Sequence, residues 1–405
     1  MMIKAKAPLR QDSRSRVLDI IRATEPTSRI ELVRETSLTP ASITHLVRDL
    51  LAENLVREVG QGESTGGKPR TLLRLNHDSM TAIGIQLGAA SVGIVATNLA
   101  GNIVGRQILQ GAKDLDPQVI VTFLAQAVAD LIDNLGLDRA TIAGIGVAMP
   151  GPLDMPGGAL RNVAYLKNLS GFAMADELEV ATGLPVIVDN DATAAAVGEY
   201  WLGTTGGHPA YATVYLATGI GSGLMVNRRP YRGSSSNAGE IGHISIDFRG
   251  PDCPCGNRGC LELFAAPPVL VEKARLAPAS AGLAEVALGN VEDGMSRLGI
   301  LAARGNAAAM NIIREGAESL ACGIVTLVNL FDVDMVVLAG PGFSSCAAFY
   351  LKEAQQALDS RTLARGVHTV SVVMSASPRD AAALGAATLA LQDKLDRKPS
   401  GELKK

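Results

Sequence analysis

The spacing of apolar residues divides the chain into a helical head, residues 1–76, and a longer body. Two short apolar stripes at helical spacing fall in the head, the first at Val17, Ile20 and Ile21 and the second at Ile43, Leu46, Val47 and Leu50. A short helix between them carries Ile30, Leu32 and Val33. From Thr81 onward, short apolar runs typical of buried strands alternate with longer helical patterns. The sequence therefore predicts a helical head on a body of the α/β class.

Two of the head helices have clear start signals. Ser28-Arg29-Ile30-Glu31 is a capping box, in which the serine oxygen accepts from the Glu31 amide and the glutamate reaches back to the Ser28 amide. Thr39-Pro40 supplies a capping hydroxyl followed by a proline at the first helical position. The break between the two helices is short, which is typical of a helix-turn-helix.

The residues after these helices predict a wing. Val56–Val59 and Thr71–Leu75 alternate like paired strands around a glycine-rich turn. A winged helix-turn-helix would lay its second helix in the DNA major groove and touch phosphate with its wing. The candidate DNA contacts are Thr39, Ser42, Thr44, His45, Arg48, Lys68 and Arg70. The alternative is a three-helix bundle that mediates only protein contacts.

The body contains a repeated order of elements. Its first half predicts strands at Ala82–Leu87, Val92–Asn98, Ile103–Leu109, Ile142–Met149 and Val186–Asp189, and helices at Pro117–Leu135, at Met174–Thr182 and from Asp191. Its second half predicts strands at Thr213–Leu216, Gly223–Val226, Met335–Leu338 and Thr369–Met374, and a last helix from Pro378. This duplication predicts two lobes, 77–190 and 191–377, with a cleft between them. Helix 378–392 is expected to pack back on the first lobe, and residues 393–405 to form a tail.

The distribution of charge restricts where nucleic acid can bind. The whole chain has a net charge of −3, with 47% hydrophobic and 19% charged residues, which excludes a disordered protein. Residues 1–75 have 13 basic and 9 acidic side chains, a net of +4, and the remainder has a net of −7. DNA contact is therefore expected at the head alone. The sequence lacks an apolar run of membrane-spanning length and a signal-peptide pattern, so a cytoplasmic protein without membrane contact is expected.

A histidine and three cysteines form a candidate metal site. His243 is followed by Cys253, Cys255 and Cys260, and a closed set of one imidazole and three thiolates is typical of structural Zn²⁺. The alternative is a group of unpaired buried thiols. Cys322 and Cys346 lie on apolar stretches and are expected in the core. The glycine-rich segment Ala217–Gly223 predicts a turn whose amides could cradle phosphate.

The segment from Gly233 to Glu262 resembles the signature of the ROK family of repressors, open reading frames and sugar kinases. It contains Ala238-Gly239-Glu240-Ile241-Gly242-His243 and the cysteine run. Met149–Asp154, Asn168-Leu169 and Asp189–Ala192 are similar to other sugar-site segments of that family. With the winged head, the chain resembles the family's transcriptional repressors, which include N-acetylglucosamine, xylose and Mlc-type regulators.

The resemblance implies an actin-like, two-lobed fold related to ribonuclease H, with a sugar in the cleft. The residues implied to hydrogen-bond the sugar are Asn168, Asn190, Asp191, Glu240, His243 and Glu262. His243 could serve zinc through one ring nitrogen and sugar through the other. Since the chain contains only 14 aromatic residues, sugar recognition is expected to depend mainly on hydrogen bonds.

One departure from the family pattern argues against kinase activity. Asp191 stands where the kinases have the base that deprotonates the acceptor hydroxyl. However, the kinases open their first strand with Asp-x-Gly-Gly-Thr, and here the stretch is Gln86-Leu87-Gly88-Ala89-Ala90. Because phosphoryl transfer requires metal and phosphate positioning, Asp191 is interpreted as a vestigial base and the chain as a non-enzyme.

The favoured hypothesis is a sugar-responsive regulator, most simply a repressor of carbohydrate genes, released from operator DNA by a sugar or sugar phosphate. It would bind as a homodimer, with a tetramer as an alternative. The competing hypotheses are a sugar kinase with a DNA-binding appendage and a scaffold controlled by a protein docked on the zinc region.

Overall fold

The head consists of three helices and a small sheet, in a computed structural model that describes residues 13–62, 70–155, 158–161, 163 and 165–397. Its elements are α1 (Ser13–Thr24), β1 (Thr27–Ser28), α2 (Arg29–Thr36), α3 (Pro40–Ala52), β2 (Val56–Gln61) and β3 (Thr71–Leu75). The strands form an antiparallel sheet in the order β1-β3-β2. The predicted helices and two-stranded wing are confirmed, with β1 added, and Lys68 lies outside the described residues.

Both predicted helix starts are present. The Ser28 amide donates to Glu31 Oε2 at 2.7 Å and the Glu31 amide donates to Ser28 Oγ at 3.4 Å, which completes the capping box of α2. The Ser42 amide donates to Thr39 Oγ1 at 3.2 Å at the start of α3. These side chains satisfy amides that have no partner inside the helix, so the turn between α2 and α3 is fixed locally.

The body contains two five-stranded sheets with equivalent strand order. The first lobe contains β4 (Thr81–Leu87), β5 (Ser91–Asn98), β6 (Ile103–Gln110), α4 (Pro117–Leu135), β7 (Ile142–Met149), the hairpin β8 (Leu153–Asp154) and β9 (Ala159–Leu160), α5 (Met174–Thr182), β10 (Val186–Asn190) and α6 (Asp191–Leu202). The second contains β11 (Ala210–Leu216), β12 (Ile220–Val226), β13 (Arg229–Pro230), α7 (Glu262–Ala265), α8 (Pro267–Arg275), α9 (Val291–Ala303), α10 (Ala307–Phe331), β14 (Met335–Ala339), α11 (Ala347–Arg361), β15 (Ser371–Met374) and α12 (Ala381–Asp396). The orders are β10-β7-β4-β5-β6 and β15-β14-β11-β12-β13, so each strand of one lobe has a counterpart in the other.

At the centre of the body, two helices each pack on the sheet of the other lobe. Helix α12 lies on the first sheet, where a Cβ on Gly84 would be 1.8 Å from the Ala383 carbonyl oxygen. Helix α6 lies on the second sheet, where a Cβ on Gly223 would be 2.2 Å from the Ala192 carbonyl oxygen. The two helices cross at Gly385, whose added Cβ would be 1.6 Å from the Ala194 carbonyl oxygen. Glycine is required at these contacts because two backbones approach too closely for a side chain.

The structure shifts several predicted boundaries, including the starts of β11 and β15, which were expected at Thr213 and Thr369. The last helix begins at Ala381 and continues through Asp396, so the first residues of the predicted tail are helical, and residues 398–405 lie outside the described chain. The predicted glycine turn 217–223 is shorter, because β12 already begins at Ile220. Cys346 is buried as expected, but the expectation that Cys322 lies in the core is wrong, because its side chain is exposed on α10. Helix α4 is long and apolar enough to cross a membrane by length and composition, and its buried residues pack in the first lobe's core.

The head shares its hydrophobic core with the body. Leu391 and Leu395 of α12 belong to the same buried cluster as Val17 and Ile21 of α1. Glu25 adds a polar link, accepting from the Leu75 amide at 2.9 Å and contacting His77 Nε2 at 2.6 Å. Because α12 also lies on the first sheet, a single helix contacts both the head and the sheet of the first lobe.

Candidate functional site

A cleft between the lobes gathers polar side chains at the carboxyl ends of β4, β10 and β11, where α/β folds place their ligands. The lining residues include Gln86, Gly88, Gly151, Tyr165, Asn190, Asp191, Tyr215, Gly219, Glu240, His243 and Glu262. Five of the six predicted sugar ligands therefore meet in one place. The free volume between them is about 50 Å³.

Asn190 and Asp191 enter the cleft where β10 ends and α6 begins. Asn190 Oδ1 accepts from the Thr193 amide at 3.0 Å and so caps α6, and Asp191 Oδ1 accepts from the Ala192 amide at 2.8 Å. Burial is the main cause that raises the pKa of Asp191 to about 7; the Ala192 hydrogen bond opposes this shift and the nearby Glu240 carboxylate adds to it. Asp191 can therefore exchange a proton near neutral pH.

Two glutamates face Asp191 from the second lobe. Glu240 precedes the 3₁₀ turn Ile241–His243, and Glu262 begins α7, where its Oε2 accepts from the Ile220 amide at 3.2 Å. Burial raises the pKa of both carboxyl groups, and the neighbouring His243 partly opposes this. Three carboxyl groups on one small cavity suit a ligand with many hydroxyl donors.

The structure does not bring Asn168 to the residues that line the cleft. Its Nδ2 donates to the Leu115 carbonyl oxygen at 2.6 Å and to the Ala112 carbonyl oxygen at 3.3 Å. This amide is used to hold the loop between β6 and α4. The role predicted for Asn168 thus lacks the geometric support that the other five residues have.

Tyr165 is a cleft residue that the sequence analysis missed. It lies between β9 and the 3₁₀ turn Lys167–Leu169, and its hydroxyl is close to Gly219 of the second lobe. A Cβ on Gly219 would be 2.6 Å from this hydroxyl and 2.5 Å from Glu262 Oε2. Its position three residues before Asn168, in a segment already marked by the family resemblance, was the available signal.

The predicted metal ligands converge on one point. The ligand atoms of His243, Cys253, Cys255 and Cys260 all lie within 4.8 Å of one another. His243 Nδ1 is 3.7 Å from Cys253 Sγ, and Cys255 Sγ is 3.7 Å from Cys260 Sγ. Tetrahedral Zn²⁺ with Zn–S bonds of about 2.3 Å requires sulfur separations of about 3.8 Å. The donor set and spacing therefore fit zinc, which would fix the imidazole through Nδ1.

The segment that the sequence analysis compared with the kinase magnesium and phosphate motif lies at the wall of the cleft. Gln86, at the end of β4, is 8% exposed and lines the cleft with Gly88 and Ala89. Beyond it, Ser91 Oγ donates to Glu292 Oε1 of the second lobe at 2.5 Å. A carboxylate bridging the lobes at this point disfavours a polyphosphate, because like charges repel.

The exposed face of α3 carries the predicted DNA contacts. His45 and Arg48 have side chains 65% and 71% exposed, and Arg48 lies 3.4 Å from Asp49. Ser42 is exposed, whereas the Thr39 oxygen caps the helix and Thr44 Oγ1 donates to the Pro40 carbonyl oxygen at 2.8 Å. Arg70 is exposed at the start of β3. His45 also lies 2.9 Å from Asp49 and 3.1 Å from Arg48, so these two basic side chains would exchange a contact with Asp49 for one with a groove or phosphate.

The two-lobed body with a polar cleft defines the class of the protein as an actin-like fold of the sugar-kinase type. More specifically, the chain belongs to the ROK family, whose sequence model matches residues 82–393. The xylose repressor of Caldicellulosiruptor bescii is 27% identical over 389 residues, which cover 96% of this chain and 97% of that protein. The DNA-binding transcriptional dual regulator NagC of Escherichia coli is 27% identical over 315 residues, 78% of this chain and 77% of the regulator.

Solved structures share the fold. A ROK family transcriptional regulator, described as a homologue of the Escherichia coli MLC protein, superposes with a TM-score of 0.76 at 26% identity, covering 95% of this chain and 97% of the other. A ROK family glucokinase from Streptomyces griseus, in complex with glucose and AMPPNP, gives a TM-score of 0.65 at 25% identity, covering 77% and 99%. The predicted fold class and the family resemblance are confirmed.

Proposed function

We propose that the protein is a sugar-responsive, DNA-binding transcriptional regulator, most simply a repressor of genes for sugar uptake or breakdown. The observation that carries this proposal is the core shared by the winged head and α12, the helix that also covers the first sheet of the cleft. A packed helix that contacts both the DNA-binding head and the sheet of the ligand site is the kind of rigid element that carries coupling between distant sites. Relatives named as a xylose repressor and as a DNA-binding transcriptional dual regulator support the same conclusion.

The head supplies the DNA-binding part. Its net charge of +4 contrasts with −7 for the rest of the chain, so phosphate is attracted to the head alone. Arg48 projects from the middle of α3 with 71% of its side chain exposed, where a recognition helix contacts base edges or phosphates. A homodimer in the cytoplasm, binding paired half-sites of operator DNA, is the arrangement that such a head requires, with a tetramer as the alternative.

The cleft supplies the effector site. Asn190, Asp191, Glu240, His243 and Glu262 offer acceptors and donors for the hydroxyl groups of a sugar or sugar phosphate. Zn²⁺ bound by His243 and the three cysteines would be structural, since four protein ligands leave no position for a reacting water. The zinc loop would then fix His243 at the wall of the cleft.

Helix α6 provides a second route from the cleft to the head. Its first residues, beside Asn190, carry the cleft carboxylate Asp191, and near its end Trp201 holds Arg22 of α1. Twelve helical residues span about 18 Å and move as one rod. A ligand that shifts the start of α6 would therefore shift the surface on which the head rests.

The alternative function is a sugar kinase with a DNA-binding appendage. Asp191 at the cleft and the likeness to a glucokinase favour it. Gln86 in place of an acidic magnesium ligand, and Glu292 bridged to Ser91, disfavour it, so we propose that the chain is not an enzyme. An ATP-coupled assay with hexoses, pentoses and amino sugars is expected to show no turnover, and turnover with any of them would establish the alternative.

The DNA-binding part is tested by obtaining the operator first. Genomic fragments retained by the full chain are sequenced, and affinity for the enriched site is measured by fluorescence anisotropy at fixed salt. Arg48→Ala is expected to weaken binding about tenfold or more, because one good contact contributes about 1–3 kcal/mol. Arg314→Ala, an exposed arginine on α10 of the body, is the matched control and should bind like the wild type. Equal affinity of Arg48→Ala and wild type would refute the assignment of α3.

A further inference from the structure

Tyr165 extends across the cleft from one lobe to the other. Its ring packs against the hydrophobic core of the first lobe, together with residues such as Phe172 and Leu109. Its hydroxyl reaches the second lobe beside Gly219, at the surface it shares with Glu262 Oε2. Burial among carboxylates raises the pKa of Tyr165 well above its usual value, so the side chain is a neutral phenol.

The space that Tyr165 leaves is small. The cleft has a free volume of about 50 Å³, enough for a few water molecules. Small-molecule pockets typically have roughly 300–1,000 Å³. Gly219, beside the hydroxyl, has no side chain to withdraw, and neither do the lining residues Gly88 and Gly151. A ligand must therefore displace Tyr165 or fit beside it as the lobes open.

The charge of the cleft limits the ligand independently of its size. Asp191, Glu240 and Glu262 line the cavity, and within the described chain no lysine or arginine lines it. The basic side chain among the lining residues is His243, which belongs to the cysteine cluster, so a phosphate group would enter a set of carboxylates without a lysine or arginine to pair with. This is unfavourable in a partly desolvated site. Neutral hydroxyl groups face no such cost.

We propose that Tyr165 is a specificity-determining residue that restricts the cleft to small, neutral, unsubstituted monosaccharides. The proposal rests on the proposed function and narrows its effector class. The tyrosine ring limits the space that remains beside a bound sugar, so a bulky substituent such as an acetamido group requires a larger displacement of the ring or a wider opening of the lobes than an unsubstituted sugar does. The three carboxyl groups exclude a phosphate ester.

The test uses isothermal titration calorimetry on the full chain with D-xylose, D-glucose, N-acetylglucosamine and glucose 6-phosphate. The wild type is expected to bind at least one unsubstituted sugar at least about tenfold more tightly than the two substituted ones. Tyr165→Ala is expected to reduce the discrimination against N-acetylglucosamine by about tenfold or more. Tyr165→Phe retains the ring and should retain the wild-type ranking. Tyr231→Ala, an aromatic residue 49% exposed on the body surface, is the matched control.

The outcomes separate the two proposals. An unchanged ranking in Tyr165→Ala, or an equal change in Tyr165→Phe, would overturn the role of the ring while leaving the sugar response intact. Tighter binding of glucose 6-phosphate than of glucose by the wild type would overturn the charge restriction. If neither the wild type nor Tyr165→Ala binds any of the four sugars, both proposals fail. If Tyr165→Ala binds a sugar and the wild type binds none of the four, Tyr165 blocks the cleft, and the proposed sugar response of the wild-type protein fails.

Folding is controlled separately. Tyr165→Leu, which retains an apolar contact with the first-lobe core, is titrated in parallel and is expected to relax the ranking in the same direction as Tyr165→Ala. If Tyr165→Ala does not fold, the test depends on Tyr165→Leu alone. The proposal would then be overturned if Tyr165→Leu ranks the four sugars as the wild type does.

Discussion

Arg22 of α1 donates to the carbonyl oxygen of Trp201, and its guanidinium lies 4.4 Å from the centre of the Trp201 ring. The same group is 5.3 Å from the centre of the Tyr200 ring. Both aromatic residues belong to the last turn of α6, whose first turn contains Asp191. Arg22 of the head therefore contacts the last turn of a helix that begins in the cleft.

Arg22→Ala is expected to weaken communication between the cleft and the head. The substitution removes the cation–π contact and the hydrogen bond at the end of α6, whereas the cleft residues are untouched. The factor by which a bound sugar changes operator affinity should fall about fivefold, equivalent to about 1 kcal/mol of coupling. Anisotropy titrations of operator DNA with and without saturating sugar measure this factor.

Arg16→Ala is the control for this prediction. Arg16 is on the same helix, and its guanidinium donates to the Glu35 carbonyl oxygen within the head, at 3.1 Å. It should change the sugar response little. An Arg22→Ala protein with the full wild-type response would show that the coupling does not pass through the end of α6.

Cys255→Ser should lose bound zinc. The three thiolates and His243 form a closed set, and a serine hydroxyl is a poor replacement for a thiolate. The melting temperature should fall by several degrees, since structural zinc contributes folding free energy. Metal analysis by mass spectrometry, with thermal unfolding beside it, measures both effects. Cys322→Ser changes an exposed cysteine outside the cluster, and its zinc content should equal that of the wild type. Unaltered zinc in Cys255→Ser would contradict the site.

Sugar affinity should depend on pH around the pKa of Asp191. This pKa is raised to about 7, chiefly by burial, so the carboxyl group ionises as the pH rises through 7. The carboxylate is the better acceptor for a sugar hydroxyl, and calorimetry should therefore show tighter binding at pH 8 than at pH 6. Asp191→Asn should flatten this dependence. If sugar affinity changes with pH as steeply in the asparagine variant as in the wild type, the titrating group is not Asp191.

The same group has the opposite effect on the stability of the sugar-free protein. A carboxyl group with a folded-state pKa above its unfolded value binds a proton more tightly when folded. Its contribution to the free energy of unfolding is fully present below pH 4 and is lost as the pH rises toward 7. Denaturant unfolding of wild type and Asp191→Asn between pH 4 and 8 would reveal this difference as a slope that only the wild type has.

Gly385→Ala should destabilise the body. The added Cβ would be placed 1.6 Å from the Ala194 carbonyl oxygen, so α6 and α12 must separate. Overpacking of this kind costs about 1–3 kcal/mol and occasionally more. Gly366→Ala is the control, because nothing lies within 4 Å of its added Cβ. Equal urea midpoints for the two variants would contradict the close crossing of the helices.

The strands and helices of the body were largely predictable because each is a local pattern. Pro117–Leu135 and Ile142–Met149 were predicted with the boundaries that the structure has. The metal cluster was predictable because three of its ligands lie within eight positions of one another. When residues lie this close in the sequence, their spacing alone indicates how they lie relative to one another in the fold.

The contacts between distant parts of the chain were not predictable in the same way. The family resemblance marks the segment that contains Tyr165, but it does not indicate that the hydroxyl reaches Gly219, because that contact depends on how the two lobes face each other. Asn168 matches a family segment, yet its side-chain amide donates to the Leu115 carbonyl oxygen. The hydrogen-bond partner of Asn168 depends on how that loop folds, which the sequence does not indicate. The boundary at Ile220 was misplaced because glycines suit both a turn and a strand packed closely under a helix.

The buried cluster formed by α1 and α12 limits how DNA-reading heads can be exchanged between related proteins. Leu391 and Leu395 have their apolar side chains against the head rather than in solvent. A chimera that takes a foreign head and retains this α12 would meet mismatched shapes at that surface, with cavities or overlaps that lower stability. Evolution of operator specificity in this chain is therefore expected to proceed through exposed positions such as His45 and Arg48, while Val17, Ile21 and Leu391 change only together.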